Sequence, residues 1–386
     1  MDLAKVEERV RRVIGTMESA ELDEYFWGKR SGLGDSLPPY YLVYFLLVDL
    51  LKLKNRGVDE KISFSIPVRI DGTVVIIEHR KLGLDIFIKS DDDIEQAKTV
   101  LRHICAGVKA ATNFFDSLAD NAAKTSNLNV NNNANSLYDR FCYFLELYKQ
   151  KLDEVAAGQE SKLEVDSEFK SDNFFSLLQS TFEQSNKIIE LRREAMWLAT
   201  SAIESFFNWT EHVFILIAIL KGEIKNGNDV ADKVGKEWGE KFKLAIDINS
   251  SSLKLFYDRL LILRKQVRNF VAHGAFGKDG QALEFHSSVG AVPLLLPHRE
   301  NKERFKFGNG VHFLAPEAMQ LINDFLENLW QGKLSPAKIY IESGCPLILS
   351  YVTNGTYAEA MKSERNMDLF VNYLTREMDN AANMDW

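Results

Sequence analysis

Cysteine is scarce in this chain of 386 residues: Cys105, Cys142 and Cys345 lie far apart and share no CxxC spacing. That excludes a disulfide scaffold and a cysteine metal knuckle, and it predicts a reduced, cytoplasmic setting. Histidine is also sparse, and His286, His298 and His312 are spaced too irregularly for a zinc site. No glycine-rich loop is present to cradle phosphates, and no nucleophile elbow. Neither a metal nor an organic cofactor is expected. Long apolar runs are missing too. Tyr40–Val48 and Val213–Leu220 end at Asp49 and Lys221, well short of the ~20 residues that cross a bilayer. The segment Met1–Gly15 is charged from its start and does not read as a signal peptide. No membrane partner is expected.

What is there is globular. Apolar residues make up 46% of the chain, too many to leave in water, so a wholly disordered chain is excluded. The length suffices for two or three cores. Acidic residues number 55 against 47 basic, a net charge of −8, so any contact with nucleic acid must come from a local basic patch.

Periodicity predicts an α+β chain that is mostly α. Residues 1–30 read as a polar amphipathic helix and Ser31–Pro39 as a loop leading to apolar Tyr40–Leu53. From Lys61 to Lys89 the period drops to two, with Asp71-Gly72 as a turn, which predicts a small antiparallel meander. A helical pattern follows Asp91, Asp92 and Asp93, acids suited to a helix start. Seven asparagines within residues 121–136 mark a linker, and Gly158–Asp172 is again polar. Beyond it the helical period holds through Phe174–Ile189, Arg192–Leu220, Asp229–Leu244 and Leu253–His273. Two short strands are expected at Lys338–Ile341 and Leu347–Val352. The resulting division is an N-terminal α+β domain at 1–120, a linker with a connecting helix at 121–170, a helical bundle at 171–332 and a C-terminal extension at 333–386. The aromatics Trp197, Phe206, Phe207, Trp209 and Phe214 read as bundle core.

The chemistry concentrates in Leu260–Gly277. Leu253, Phe256, Leu260, Leu263, Val267 and Val271 recur at helical spacing, and Gly274 suits the position just past a helix end. Arg268, Asn269 and His273 therefore fall in the last turns, with Arg264 one turn below Arg268. The stretch from Ser251 to Gly277 carries five basic residues and one acid, a local charge of +4. A second basic cluster follows at Arg299, Lys302, Arg304 and Lys306.

The run Arg268-Asn269-Phe270-Val271-Ala272-His273 resembles the signature of the HEPN superfamily: an arginine, often followed by asparagine, then a histidine after a short spacer. Bare Arg/His spacing of this kind recurs by chance. Asparagine after the arginine, glycine after the histidine and the end of a long amphipathic helix narrow the match. The resemblance covers about residues 171–332 and implies a HEPN-like bundle and a metal-independent endoribonuclease. In such an enzyme a 2′-hydroxyl attacks its own phosphodiester. The Arg268 guanidinium would stabilise charge on the phosphate oxygens, His273 would move a proton, and Asn269 would orient the histidine or donate to phosphate. Arg264, Glu204 and Glu211 are the expected supporting residues. Lys265, Arg259, Arg299, Lys302, Arg304 and Lys306 would line the RNA path.

The resemblance further implies RNA as partner, a homodimer that brings two sets of groups to one phosphate, and a toxin or antiviral abortive-infection role. A regulatory protein or phage-derived trigger would then act on the chain. Two alternatives stand beside it. The bundle could be a non-catalytic RNA-binding or protein-interaction module, its Arg, Asn and His doing only helix-end work. Or Asp71 with Glu78-His79-Arg80 could form the hairpin of a metal-dependent nuclease.

Overall fold

The computed structural model describes residues 3–21, 28–167, 174–249, 251–273, 283–295, 305–308 and 313–383. The chain is α+β and mostly helical, and it divides into two units, residues 1–125 with 376–386, and residues 126–375.

In the first unit, α1 (Leu3–Ile14) buries Val6, Val10 and Ile14, one turn apart on a single face. Two short strands follow, β1 (Glu18–Ser19) and β2 (Lys29–Arg30), so the single helix expected over residues 1–30 ends by Ile14. Helix α2 (Tyr40–Tyr44) runs into a π-helical turn at Phe45–Leu50. The predicted meander is present as β3 (Ile62–Ile70), β4 (Thr73–Arg80) and β5 (Gly83–Ile88). With the two short strands it makes an antiparallel sheet ordered β1-β3-β4-β5-β2. Asp71 (φ 48°) and Gly72 (φ 80°) form the tight β3–β4 turn, whose two left-handed positions suit Asp-Gly. Phe64, Ile66, Val68, Val75, Ile77 and Ile86 alternate onto one face of the sheet and share a core with α1, Leu46 and Leu47. Helix α3 (Ile94–Ala110) adds Val100 and Ile104 to that core, and α4 (Thr112–Lys124) adds Phe114. The acids ahead of α3 act with Ser90, whose side chain and that of Asp93 cap one another's backbone.

The second unit opens with β6 (Asn129–Val130). Two long helices then pair lengthwise, α5 (Ala134–Ser167) and α6 (Phe174–Leu220). Residues 158–167, expected to be a polar connection, are helical because α5 gains a partner helix that local polarity does not reveal; residues 168–173 lie outside the described residues. The asparagines before α5 are structural: Asn132 Nδ2 donates to the Ile341 carbonyl at 2.8 Å and Asn135 Nδ2 to the Glu342 carbonyl at 3.0 Å.

Helices α7 (Gly227–Val234), α8 (Trp238–Ala245) and α9 (Ser251–His273) then pack on α6. Strands β7 (Leu283–Ser287), β8 (Gly290–Leu295) and β9 (Lys306–Phe307) form a small antiparallel sheet, and α10 (Ala315–Leu329) returns to the core through Phe325. The expected strand at Lys338–Ile341 is instead α11 (Ser335–Glu342), because Pro336 sits in its first turn and starts a helix. Of the strand expected at Leu347–Val352, Leu347–Ile348 forms as β10, paired with β6, while Ser350–Val352 is helical. Short helices α12 (Ser350–Thr353) and α13 (Thr356–Ala360) lead to α14 (Glu364–Asn383). Among the described residues, only Thr181–Leu220 is long and apolar enough to cross a membrane. The most apolar 18 residues of that helix are 78% buried within the fold.

Candidate functional site

Helix α9 forms and docks through one apolar face. Leu260, Leu263 and Val267 are buried at spacings of three and four residues. Below them, Phe256 meets Phe325 of α10 at 5.8 Å and Tyr257 meets Phe242 of α8 at 5.2 Å between ring centroids. The helix starts near the C-terminal ends of α6 and α8, which Lys221 joins by donating to the Leu244 and Ala245 carbonyls. From there it runs back along α6, so Arg264 arrives beside Phe207 and Glu211.

Glu211 is the centre of this contact. One carboxylate oxygen takes Arg264 at 2.5 Å and the other takes Lys241 of α8 at 2.8 Å. The Arg264 guanidinium also lies 5.4 Å from the centre of the Phe207 ring. Burial works to raise the Glu211 carboxyl, but the Lys241 hydrogen bond and the two cations outweigh it, holding the group below the ordinary glutamate range. The Lys241 side chain is only 7% exposed, so this carboxylate is its charge partner inside the fold. The structure brings Arg264 and Glu211 together, and their contact fixes α9 on α6. Lys241, the third member, was not legible in the sequence, where it is one lysine among many.

Arg268 lies one turn beyond Arg264 and is exposed, and no carboxylate among the described residues pairs with it. Arg259 and Lys265 of the same helix are exposed as well. Asn269 and His273 belong to α9, but their side chains fall outside the described residues, as do Arg299, Lys302 and Arg304. Lys306 is exposed on β9. Glu204 is exposed two turns from Glu211 on the same face of α6, and the structure shows it no cation among the described residues. Of the five aromatics expected in the bundle core, Phe206, Phe207, Trp209 and Phe214 are buried there. Trp197 is not: it is 56% exposed, with the Arg193 guanidinium 5.4 Å from its ring.

The hairpin of the first unit is built differently from a metal site. Asp71 sits in the turn, while Glu78 lies five residues up β4 from Thr73, about 17 Å at strand rise. Glu78 is buried and fully engaged: Ser65 Oγ donates to it at 2.7 Å and Arg80 Nε at 2.7 Å, with Arg80 also over the Phe87 ring. The His79 ring stacks on Tyr40 at 4.2 Å, and burial lowers its pKa. No group of three His, Cys, Asp or Glu side chains is poised for a metal among the described residues. The two hairpin acids do not share a site. At the sheet edge, Ser31, Tyr40, His79 and Asp85 line a cleft of about 750 Å³, with Gly34 packed so closely on β5 that a Cβ there would collide with the Leu84 carbonyl.

Compared with known proteins, the chain matches no family model, no curated protein and no solved structure.

Proposed function

We propose that the second unit is a metal-independent endoribonuclease of HEPN type, with Arg268, Asn269 and His273 as its working residues. The observation that carries this reading is the state of the arginines on α9. Arg264 is consumed by Glu211, whereas Arg268, one turn on, stays exposed with its neighbour Lys265. A guanidinium anchored on a braced helix, with no carboxylate partner among the described residues, suits a phosphodiester oxygen, which it can meet with two parallel N–H donors. In this reading His273, at the end of that helix, gives a proton to the leaving 5′-oxygen. A second copy of the site across a dimer axis would supply the proton acceptor for the 2′-hydroxyl.

In this reading the first unit senses or restrains, and its cleft is of the size that holds a small ligand. A toxin or antiviral role, released by a protein or phage-derived trigger, accords with that arrangement. The test is incubation with RNA in chelator. Cutting is expected to persist, to leave 2′,3′-cyclic phosphate ends, to spare a 2′-deoxy substrate and to vanish in Arg268→Ala and His273→Ala. Cutting that survives in both variants sinks this site.

A further inference from the structure

An isolated exposed aromatic requires no special explanation. Trp197 is set apart by its position. Trp197, Glu204 and Glu211 follow one another at seven-residue steps, so on a helix of 100° per residue they lie within about 40° of one line. One end of that line is covered by Arg264 from α9, which carries exposed Lys265 and Arg268 next to it. Glu204 and Asn208, both exposed, lie between. Trp197 stands two turns beyond Glu204, roughly 10 Å of helix, with Arg193 against its ring.

We propose that Trp197, with Arg193, is a stacking platform for one base of single-stranded RNA whose phosphates follow the α9 cations. This deepens the ribonuclease reading and rests on it for the choice of ligand. An indole offers a large π face that accepts any base, and a neighbouring guanidinium can hold the adjoining phosphate. The same α6 face is poorly made for a second protein helix. Among the described residues, its other exposed apolar side chains, Phe182 and Ile189, alternate with exposed Asn186, Glu190 and Arg193 on the way to Trp197. An interrupted row of that kind gives no continuous apolar seam.

The experiment measures binding apart from cutting. The full chain is titrated with a 2′-O-methyl single strand of about twelve nucleotides, which lacks the attacking hydroxyl. Anisotropy reports affinity and tryptophan fluorescence reports stacking. Trp197→Ala is expected to weaken binding about tenfold and Trp197→Phe less. Both should remove most of the quench while leaving the melting temperature unchanged. Equal affinity for wild type and Trp197→Ala overturns the platform, and cutting of unmodified RNA would then leave the ribonuclease reading standing. Tryptophan-dependent binding without any cutting upholds the platform and removes the ribonuclease. A Trp197→Ala protein that halves in sedimentation mass while keeping its RNA affinity overturns the platform in favour of a contact between copies.

Discussion

The guanidinium of Arg264 and the carboxylate of Glu211 meet at 2.5 Å between two helices that nothing in the local sequence links. Lys241 takes the other oxygen, so removing Glu211 strands two cations, one of them almost wholly out of water. Glu211→Ala should cost about 2 kcal/mol, between the values for exposed and buried pairs. For a unit of this size that is about 4–8 °C in Tm. Glu204→Ala, at an exposed position, should change stability by no more than about 0.5 kcal/mol. Thermal unfolding of the two proteins side by side checks the contrast, and equal Tm values would refute the bracing role.

Acid should undo the same contact. The Glu211 carboxyl is held below its ordinary range, so it contributes stability above that range and loses it as pH falls through the lowered value. Unfolding midpoints measured from pH 6 down to pH 3 should fall more steeply for wild type than for Glu211→Gln below about pH 4.3, the ordinary glutamate value. Parallel curves would show that the carboxylate adds nothing to the fold.

The two arginines on α9 should separate in function. Arg268→Lys keeps the charge and loses the paired donors, so kcat is expected to drop about a hundredfold with Tm unchanged. Arg264→Ala should lower Tm and activity together, because it frees the helix that carries the proposed site. Single-turnover cutting and melting curves on both variants decide this. A stable, fully active Arg268→Lys enzyme would mean that the arginine supplies only diffuse positive charge.

Much of this was readable in the chain because two kinds of signal are local. The drop to a two-residue period over Lys61–Lys89, with Asp71-Gly72 between strands, announces a hairpin whatever surrounds it. The spacing of Leu260, Leu263 and Val267 likewise fixes which face of α9 is buried, and hence that Arg268 is outside. What was not readable depends on partners distant in sequence. Trp197 lies in a helix so apolar that its period could not show which side stays wet; only the packing of α5 and the later helices decides that. Lys338–Ile341, dense in β-branched and aromatic residues, looks like a strand, and Pro336 overrides it by starting a helix. Asn132 and Asn135 look like linker residues until their carbonyl acceptors, some two hundred residues away, are known.

His212 gives a prediction near neutral pH. Its Nε2 accepts the backbone N–H of Asn133 at 3.0 Å, which requires the neutral ring, and burial lowers its pKa from 6.5. A depressed histidine favours the fold above its unfolded pKa and opposes it as pH falls, when the unfolded chain binds the extra proton. Stability should therefore decline from about pH 6.5 downward, a value typical of free histidine. His212→Gln should make the decline shallower without abolishing it, since His79 shifts in the same direction. Melting temperatures at half-unit steps between pH 7.5 and 5.5 test this, and an unchanged slope in the variant would count against it.

The hairpin of the first unit can be separated from nuclease chemistry by substitution. Asp71 occupies a left-handed turn position, which asparagine tolerates and alanine does not, so Asp71→Asn should leave stability unchanged and Asp71→Ala should cost about 1 kcal/mol. Glu78→Ala leaves buried Ser65 and the Arg80 guanidinium without their acceptor, a loss of about 2–3 kcal/mol. Neither Asp71→Asn nor Glu78→Gln should alter RNA cutting by the second unit. Magnesium or manganese should likewise leave the Tm of the wild type where it was, because a metal bound to the native state alone would raise it. Loss of cutting in Asp71→Asn, together with a metal-dependent rise in Tm that the variant lacks, would transfer the chemistry from α9 to the hairpin.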